Sequence, residues 1–350
     1  MIHVAGRQGV SAPQATRMFQ EAAEAPAAVE RLLTANRSAV AALADDLRAR
    51  PPRAVVTLGR GSSDHAATYA KYLIETGAGV LTASGAPSVT SVYDAPQDLR
   101  DVLFLAISQS GRSPDLLAAV EGARDSGARV VALVNDTASP MAALAQLVLP
   151  LHAGPETSVA ATKSCLAAFA AVAQLTAAWT ADAELAAALD RLPGQLAQAW
   201  TLDWTPLADA LAPAQSLYVL GRGPGFAAAQ EAALKLKETC GLHAEAFSAA
   251  EVLHGPMALV QPGFPVLMFA QGDLSEPGVV DLARQLAARE AQVFLAGARG
   301  PGALPFTPTH RVLQPIALLQ SFYALVNALA LARGFDPDRP PHLRKVTETT

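Results

Sequence analysis

The sequence predicts an α/β protein built from two consecutive, doubly wound units, each with a parallel sheet. The chain has 350 residues, a length that fits two domains of about 150 residues each. Short apolar runs rich in β-branched residues alternate with helical patterns, which is typical of parallel sheets covered by helices on both faces. The segments 55–75 and 217–238 resemble each other, and each carries the letters LGRG after an apolar run. The chain therefore reads as a duplicated strand–turn–helix unit.

The first part of the chain predicts helices followed by the first sheet. A helical pattern runs from 15 to 49 and ends at two prolines that mark a boundary. Strands are then predicted at the apolar runs that begin at 55 and at 79–84, 101–108, 129–135 and 147–153. In a flavodoxin-like sheet of order 2-1-3-4-5, ligands bind where the order reverses, between the first and third strands.

The second part predicts a helical connector and a second unit. The connector at 181–212 is expected to be interrupted at Pro193 and Gly194. A helix is expected within 227–259, and further strands are predicted at 265–270, 292–297 and 310–315. The predicted organisation is an N-terminal helical segment (1–50), a first domain (51–190), a second domain (191–335) and an irregular, proline-rich C-terminal tail (336–350).

Composition and charge exclude several classes of protein. Hydrophobic residues make up 51% of the chain and charged residues 16%, which excludes a disordered chain and a solvated coiled coil. The formal net charge is −5, so binding of nucleic acid, which depends on a basic surface, is not expected. Any anionic ligand therefore has to be held by local groups.

We expect a cytoplasmic protein without a membrane segment. The chain contains two cysteines, Cys165 and Cys240, which favours a reducing compartment over a disulfide framework. The first residues lack the apolar core of a secretory signal. The Ala-rich run 160–181 contains Lys163 and Gln174, so we expect a buried or interface helix there.

A serine-rich loop, SQSGRSPD, follows the third predicted strand. The hydroxyls of Ser108, Ser110 and Ser113 and the amide of Gln109 can all donate into one concavity. Ser113 followed by proline is a good helix N-cap, so free backbone N–H groups and the helix dipole would face the same place. The pattern favours a phosphate site without basic residues, and an ordinary capped turn is the alternative.

A glycine turn, LGRGSSDH at 58–65, leaves the first strand and is expected to meet that loop at the switch point. Its hydroxyls, including that of Ser63, would face the same ligand. The glycine spacing does not match GxGxxG, so a dinucleotide cofactor is not expected.

Three charged residues fall on one stripe of the helix expected after 227. At about 100° per residue, Glu231, Lys235 and Glu238 lie close together among apolar neighbours. We expect partial burial, which can raise the pKa of a carboxylate towards neutrality and suit it to proton transfer; a surface ladder of ion pairs is the alternative. His254 reads either as a buried structural histidine or as half of a weak metal pair with Glu251, and we expect no metal site.

Six ordered motifs resemble the sugar isomerase (SIS) family. The similarity is to its tandem-domain members, the isomerase half of glucosamine-6-phosphate synthase and the related stand-alone aminosugar-phosphate deaminases, and it runs from about Thr16 to the C-terminus. The motifs are the repeated LGRG, SQSGRSPD, AGPETSVAATKS (153–164), EAALKLKE (231–238), HAEAFSAAEVLHGP (243–256) and the terminal LRKVTETT.

The resemblance implies a role for each matching residue. It implies that Ser108, Gln109, Ser110 and Ser113 bind phosphate, that Ser63 contacts the ligand, and that Val159 makes a backbone contact. It implies that Glu238 shuttles a proton between C1 and C2 of the opened sugar, flanked by Lys235 and Glu231. His254, from the neighbouring subunit, would open the ring, and Lys345 would reach the sugar. Ala161 stands where the synthase has serine, so this segment is closer to the deaminase branch.

The resemblance implies an enzyme that acts on a phosphorylated aminosugar without a cofactor, as a homodimer with a shared site. The glutamine-cleaving domain of the synthase is not found in this sequence, so release of nitrogen is the expected direction: glucosamine 6-phosphate and water give fructose 6-phosphate and ammonia. The alternatives are an aldose–ketose isomerase without deamination, a deaminase or deglycase for another aminosugar phosphate, and a non-catalytic module that senses sugar phosphates.

Overall fold

The alternating pattern of the sequence forms two parallel sheets. The computed structural model describes residues 12–345. The first sheet has the order β2-β1-β3-β4-β5 and the second the order β7-β6-β8-β9, with parallel pairing throughout. The strands are β1 (Ala54–Leu58), β2 (Thr82–Ser84), β3 (Val102–Ser108), β4 (Arg129–Val134), β5 (Leu147–Pro150), β6 (Ser216–Gly221), β7 (His243–Ser248), β8 (Pro265–Phe269) and β9 (Gln292–Ala296).

Thirteen α-helices accompany these strands in the described part of the chain. They are α1 (Arg17–Ala23), α2 (Ala25–Ala35), α3 (Arg37–Ala49), α4 (Ser62–Gly77), α5 (Ser88–Ser91), α6 (Pro114–Asp125), α7 (Pro140–Leu144), α8 (Lys163–Trp179), α9 (Ala183–Trp200), α10 (Thr205–Leu211), α11 (Pro224–Cys240), α12 (Glu276–Ala288) and α13 (Gln314–Ala332). Short 3₁₀ turns occupy Pro13–Ala15, Glu251–His254 and Pro256–Leu259. The predicted fold class, the order of the first sheet and the N-terminal helices are confirmed.

One apolar core joins the two halves. Helices α4, α8, α11 and α13 lie between the facing sides of the two sheets, and their buried side chains form one continuous cluster with those of β1, β3, β6 and β8. Two smaller clusters cover the outer faces, one under α6 and the other under α12. The Ala-rich run becomes α8 and is almost wholly buried, as expected. Among residues 12–345, one helix, α13, is long and apolar enough to cross a membrane, but it is 78% buried inside the protein, as a core helix is.

The duplication is visible in the backbone. Gly61 and Gly223 precede α4 and α11 with nearly the same conformation, φ 54° and ψ −128° against φ 56° and ψ −137°. Two residues earlier, a Cβ on Gly59 would lie 2.7 Å from the backbone of Ser63, and one on Gly221 would lie 2.3 Å from the backbone of Gly225. Both turns therefore need glycine for the same steric reason.

The second half differs from the sequence prediction at three places. No strand is predicted at 243–248, but α11 ends at Cys240, where Gly241 with a φ of +56° caps the helix, and β7 follows. The strand predicted at 310–315 is wrong: α13 begins at Gln314, with Pro315 in its first turn. The predicted interruption at Pro193 is also wrong, because α9 continues through it while its apolar face stays buried. The boundary proposed at 190/191 therefore falls inside α9.

Candidate active site

The serine-rich loop forms a cradle at the carboxyl end of β3. Gly111 has φ +62°, and a Cβ there would lie 2.3 Å from Ser139 Oγ, so the tight turn needs glycine. The hydroxyl of Ser108 accepts a hydrogen bond from the Gly111 N–H at 3.0 Å. Ser113 occupies the N-cap position of α6, but its side chain makes no capping hydrogen bond. The predicted capping by the Ser113 side chain is therefore wrong, the alternative of an ordinary capped turn loses its support, and the Ser113 hydroxyl remains available to a ligand.

The glycine turn after β1 lies beside this cradle, as the strand order predicts. The two loops, α11 and the C-terminal segment enclose a cavity of about 230 Å³. Its lining residues are Arg60, Gly61, Ser62, Ser63, Ser108, Gln109, Ser110, Ser113, Leu116, Val159, Ala161, Lys235, Glu238, Leu343, Arg344 and Lys345. Arg60 is held by Asp115, at 3.1 Å from Nε and 2.5 Å from Nη2 to the same carboxylate oxygen. The first strand, the third strand and the opposite half of the molecule thus converge on one crevice.

The charged stripe of α11 is buried. Glu231 is fully buried, Lys235 is 1% exposed and the side chain of Glu238 is 21% exposed. Lys235 forms an ion pair and a short hydrogen bond with Glu238, and its Nζ lies 3.6 Å from Glu231 Oε1. The alternative of a surface ladder is wrong. Glu238 is the carboxylate of the stripe that reaches the cavity.

Glu231 lies behind the cavity in a network of donors. It accepts hydrogen bonds from Ser62 Oγ at 3.1 Å and Tyr323 Oη at 3.1 Å, and its other oxygen lies 2.8 Å from His65 Nδ1. Burial raises the pKa of Glu231, but Lys235, His65 and Ser62 outweigh burial, so the pKa lies below its usual value. The expectation of a raised carboxylate pKa is therefore wrong for Glu231. This residue stays ionised and anchors Lys235.

Lys235 is a buried cation held between two carboxylates. Burial lowers its pKa, but Glu231 and Glu238 outweigh burial and the pKa lies above the ordinary value of a lysine. Lys235 is therefore a permanent positive charge beside Glu238.

The C-terminal segment closes one side of the cavity. Lys345 Nζ lies 3.3 Å from Glu156 Oε2, and Glu156 is buried and accepts from the N–H groups of Thr162 and Ser164 at 3.0 and 3.1 Å. Glu156 thereby ties Lys345 to the segment that presents Val159 and Ala161 to the cavity. The predicted tail is irregular up to Lys345; its remaining residues, 346–350, lie outside the described chain.

Two predicted residues are not brought into the cavity. Glu231 lies behind it. His254 is exposed on the 3₁₀ turn Glu251–His254 and does not line it. In residues 12–345, no group of three or more histidine, cysteine, aspartate or glutamate side chains is placed to hold a metal ion.

Several supporting residues have no signal in the sequence. His65, Tyr323 and Glu156 act through contacts between distant parts of the chain. So does Glu21, which accepts hydrogen bonds from Thr157 and Ser158 and holds the segment before Val159. Arg60 lies inside the repeated LGRG motif, and this repeat is the one feature of the sequence that could have indicated its place at the site.

The fold and this crevice define a class of protein. Residues 50–178 and 210–296 match the model of the SIS domain family, and the chain belongs to that family. Glutamine–fructose-6-phosphate aminotransferase (isomerizing) of Aeropyrum pernix is 36% identical over 313 residues, which are 83% of this chain and 50% of that protein. The chain spans about half the length of the curated relatives it matches.

Solved structures agree with this assignment. One from Silicibacter pomeroyi DSS-3, named as a phosphosugar isomerase, is 48% identical, has a TM-score of 0.88 and covers 92% of this chain and 100% of its own. The C-terminal domain of glucosamine-fructose-6-phosphate aminotransferase from Francisella tularensis shows the same fold, with a TM-score of 0.85 at 24% identity, over 93% of this chain and 98% of its own. The 48% identical relative is thus of the phosphosugar isomerase type, and the second structure shows the shared fold.

Proposed function

We propose that the protein is an aminosugar-6-phosphate deaminase/isomerase that converts glucosamine 6-phosphate and water into fructose 6-phosphate and ammonia. One observation carries this proposal. The carboxylate of Glu238, paired with the buried cation Lys235, shares a cavity of about 230 Å³ with the serine-rich cradle. A phosphate in the cradle would leave the carbon chain of the sugar beside Glu238.

The cradle suits a phosphate monoester. The hydroxyls and the Gln109 amide are donors, and the dipole of α6 favours a dianion at its start. The predicted free N–H groups are not found there, because Pro114 has none and the Leu116 N–H is bonded to Asp115 Oδ1 at 2.8 Å. Arg60 is already engaged with Asp115, so the grip comes from neutral groups. This agrees with an acidic protein that binds an anion locally.

Glu238 supplies the proton transfer. In the open-chain substrate it takes the C2 proton, giving an enolamine, and returns the proton to C1, giving a ketimine at C2. Water adds at C2 and ammonia leaves, so the products are fructose 6-phosphate and ammonia. Lys235 and Lys345 stabilise the negative charge that develops on the C1 oxygen.

Ring opening is assigned to His254 of a second subunit. In its own chain His254 does not reach the cavity, and it stands beside Leu253 and Leu259, which are 51% and 63% exposed. An exposed apolar surface of this kind suits a contact between copies. We therefore propose a homodimer in which each copy completes the site of the other.

The second candidate is isomerisation without loss of nitrogen. It is favoured by the similarity to the 48% identical structure from Silicibacter pomeroyi DSS-3, which is named as a phosphosugar isomerase. A deaminase or deglycase for another aminosugar phosphate would use the same Glu238 and Lys235. A non-catalytic sensor would need neither, so the buried pair favours an enzyme.

The deciding experiment measures ammonia release and ketose formation in parallel from glucosamine 6-phosphate, galactosamine 6-phosphate and glucose 6-phosphate. The proposal predicts ammonia and fructose 6-phosphate in equal amounts from the first. A matched control is Lys237→Gln, on the same helix but exposed, which should leave both rates unchanged. Ketose from glucose 6-phosphate without ammonia from either aminosugar would overturn deamination and leave the isomerase.

A further inference from the structure

A second crevice lies at the equivalent position of the second half. It has a volume of about 640 Å³ and is formed by the glycine turn after β6, the loop after β8 and one face of α4. The candidate active site is formed by the glycine turn after β1, the loop after β3 and one face of α11. The duplication therefore builds two crevices, each from two loops of one half and a helix of the other.

The second crevice has no proton-transfer groups. Counting from the matched glycines Gly61 and Gly223, Leu73 and Thr76 of α4 occupy the positions of Lys235 and Glu238 of α11. Leu73 and Thr76 both line the crevice. A ligand bound there would not be turned over.

The anion cradle of the second crevice is occupied by a side chain of the chain itself. In the loop after β8, Asp273 accepts hydrogen bonds from the N–H and the hydroxyl of Ser275 at 2.8 and 2.6 Å, and from Gln271 Nε2 at 2.9 Å. These donors stand where the loop after β3 offers its own to phosphate. A phosphate therefore cannot use the backbone cradle here.

Charged side chains replace the cradle. Arg222 occupies the same position in the glycine turn after β6 that Arg60 occupies in the glycine turn after β1. Arg60 is bound by Asp115, whereas Arg222 has no carboxylate within 4 Å among the described residues and is exposed to the crevice. Arg311 lines the crevice from the other side and is about half exposed. It is paired only loosely, since its Nη1 lies 3.8 Å from Glu184 Oε1.

The crevice presents both signs of charge without pairing them. Glu251 and Asp273 line it together with the two arginines, yet within residues 12–345 neither acid lies within 4 Å of either arginine. Separated cations and carboxylates suit a ligand that itself carries both signs. Tyr72 adds an aromatic wall against which a sugar ring can pack.

We infer that the second crevice is a non-catalytic binding site for a phosphorylated aminosugar. Arg222 and Arg311 bind the phosphate, and Glu251 and Asp273 bind the ammonium group and hydroxyls. The choice of ligand rests on the proposed function, because the zwitterion is of the same class as the proposed substrate. The existence of a second site rests only on the duplicated geometry.

The test counts binding sites in the full chain with turnover blocked. In the Glu238→Gln background, calorimetric titration with glucosamine 6-phosphate should give two sites per chain. Adding Arg222→Ala should remove one, and adding Ser110→Ala with Ser113→Ala should weaken the other. Fructose 6-phosphate, which lacks the ammonium group, should bind the Arg222-dependent site at least about ten-fold more weakly.

Two further variants make the test specific. Thr76→Trp fills the crevice from α4 and should remove the same site as Arg222→Ala, whereas Arg284→Ala, an exposed arginine outside the crevice, should keep both. One site or none in the Glu238→Gln parent would overturn the inference, as would two sites that survive both Arg222→Ala and Thr76→Trp. Deamination by the wild-type chain is measured separately, so its failure is distinguishable from loss of the second site.

Discussion

The two crevices share their architecture and differ in the side chains that would do chemistry. Each lies where a glycine turn and the loop of the neighbouring strand meet a helix of the opposite half. In the first crevice that helix is α11, which carries Lys235 and Glu238. In the second crevice it is α4, which carries Leu73 and Thr76. Within one molecule the fold is thus constant while the side chains change, as expected where function belongs to a site and not to its fold.

The helices also differ in what they bury. At the position of Glu231, α4 has Tyr69, whose hydroxyl donates to the carbonyl of Val312 at 2.8 Å. A neutral phenol needs one acceptor, but the buried Glu231 needs several donors and a cation. The network around Glu231 therefore exists on α11 and has no equivalent around Tyr69 of α4. This network allows Lys235 to be buried beside Glu238.

The largest effect is predicted for Glu238→Gln, a substitution that removes the chemical difference between the two crevices. Glu238→Gln should lower kcat roughly 1,000-fold, because the proton between C1 and C2 loses its carrier, while glucosamine 6-phosphate still binds. Steady-state ammonia release and calorimetry measure the two properties. With Lys237→Gln as the control, an active Glu238→Gln enzyme would remove this residue from the mechanism.

The next effect concerns the cradle that the first crevice keeps open. Replacing Ser110 and Ser113 together by Ala should raise KM roughly 100-fold with a smaller change in kcat, because two hydrogen bonds to a charged phosphate are lost. Ser126→Ala, at the other end of α6, is the matched control. If only the unfolding temperature moves, the loop is structural and the two crevices do not differ in phosphate binding.

A smaller effect is expected from the tail, which lines the first crevice only. Lys345→Ala should lower kcat about ten-fold, because one positive group near the developing oxyanion is removed. The unfolding temperature should fall only modestly, since the buried Glu156 loses its ion pair with Lys345 but keeps the N–H donors of Thr162 and Ser164. Unchanged kinetics would rule out the role given to Lys345.

The smallest effect is a change in how stability depends on pH. The pKa of Glu231 in the folded protein lies below the ordinary value of a glutamate, 4.5. Its contribution to stability is therefore present above about pH 4.5 and is lost as the pH falls through the folded value. Glu231→Gln should be less stable at pH 7 and should lose less stability on acidification, by at most about 1.4 kcal/mol per pH unit. Urea unfolding between pH 7 and pH 3.5 measures this, and identical slopes for both proteins would contradict it.

Local patterns in the sequence sufficed for the parts of the site that lie on single elements. The LGRG turns, the serine-rich loop and the stripe of Glu231, Lys235 and Glu238 each follow from spacing within one segment. Strand β7 was missed because its side chains are only partly buried and carry no clear alternation. The strand expected at 310–315 failed because Pro315 and the long apolar run after it start a helix.

Long-range partners could not be read from the sequence. The contacts of His65 and Tyr323 with Glu231, and of Lys345 with Glu156, join residues that lie far apart in the chain. The filling of the second cradle by Asp273 depends on the exact path of one loop. Such features depend on tertiary packing, and no periodic pattern in the sequence predicts them.

One measurement tests the central claim most directly: a crystal structure of the Glu238→Gln variant soaked with glucosamine 6-phosphate. The phosphate should lie among Ser108, Ser110 and Ser113, with C1 and C2 of the sugar within reach of residue 238. A phosphate bound elsewhere, or a sugar whose C1 and C2 point away from residue 238, would contradict the proposed site.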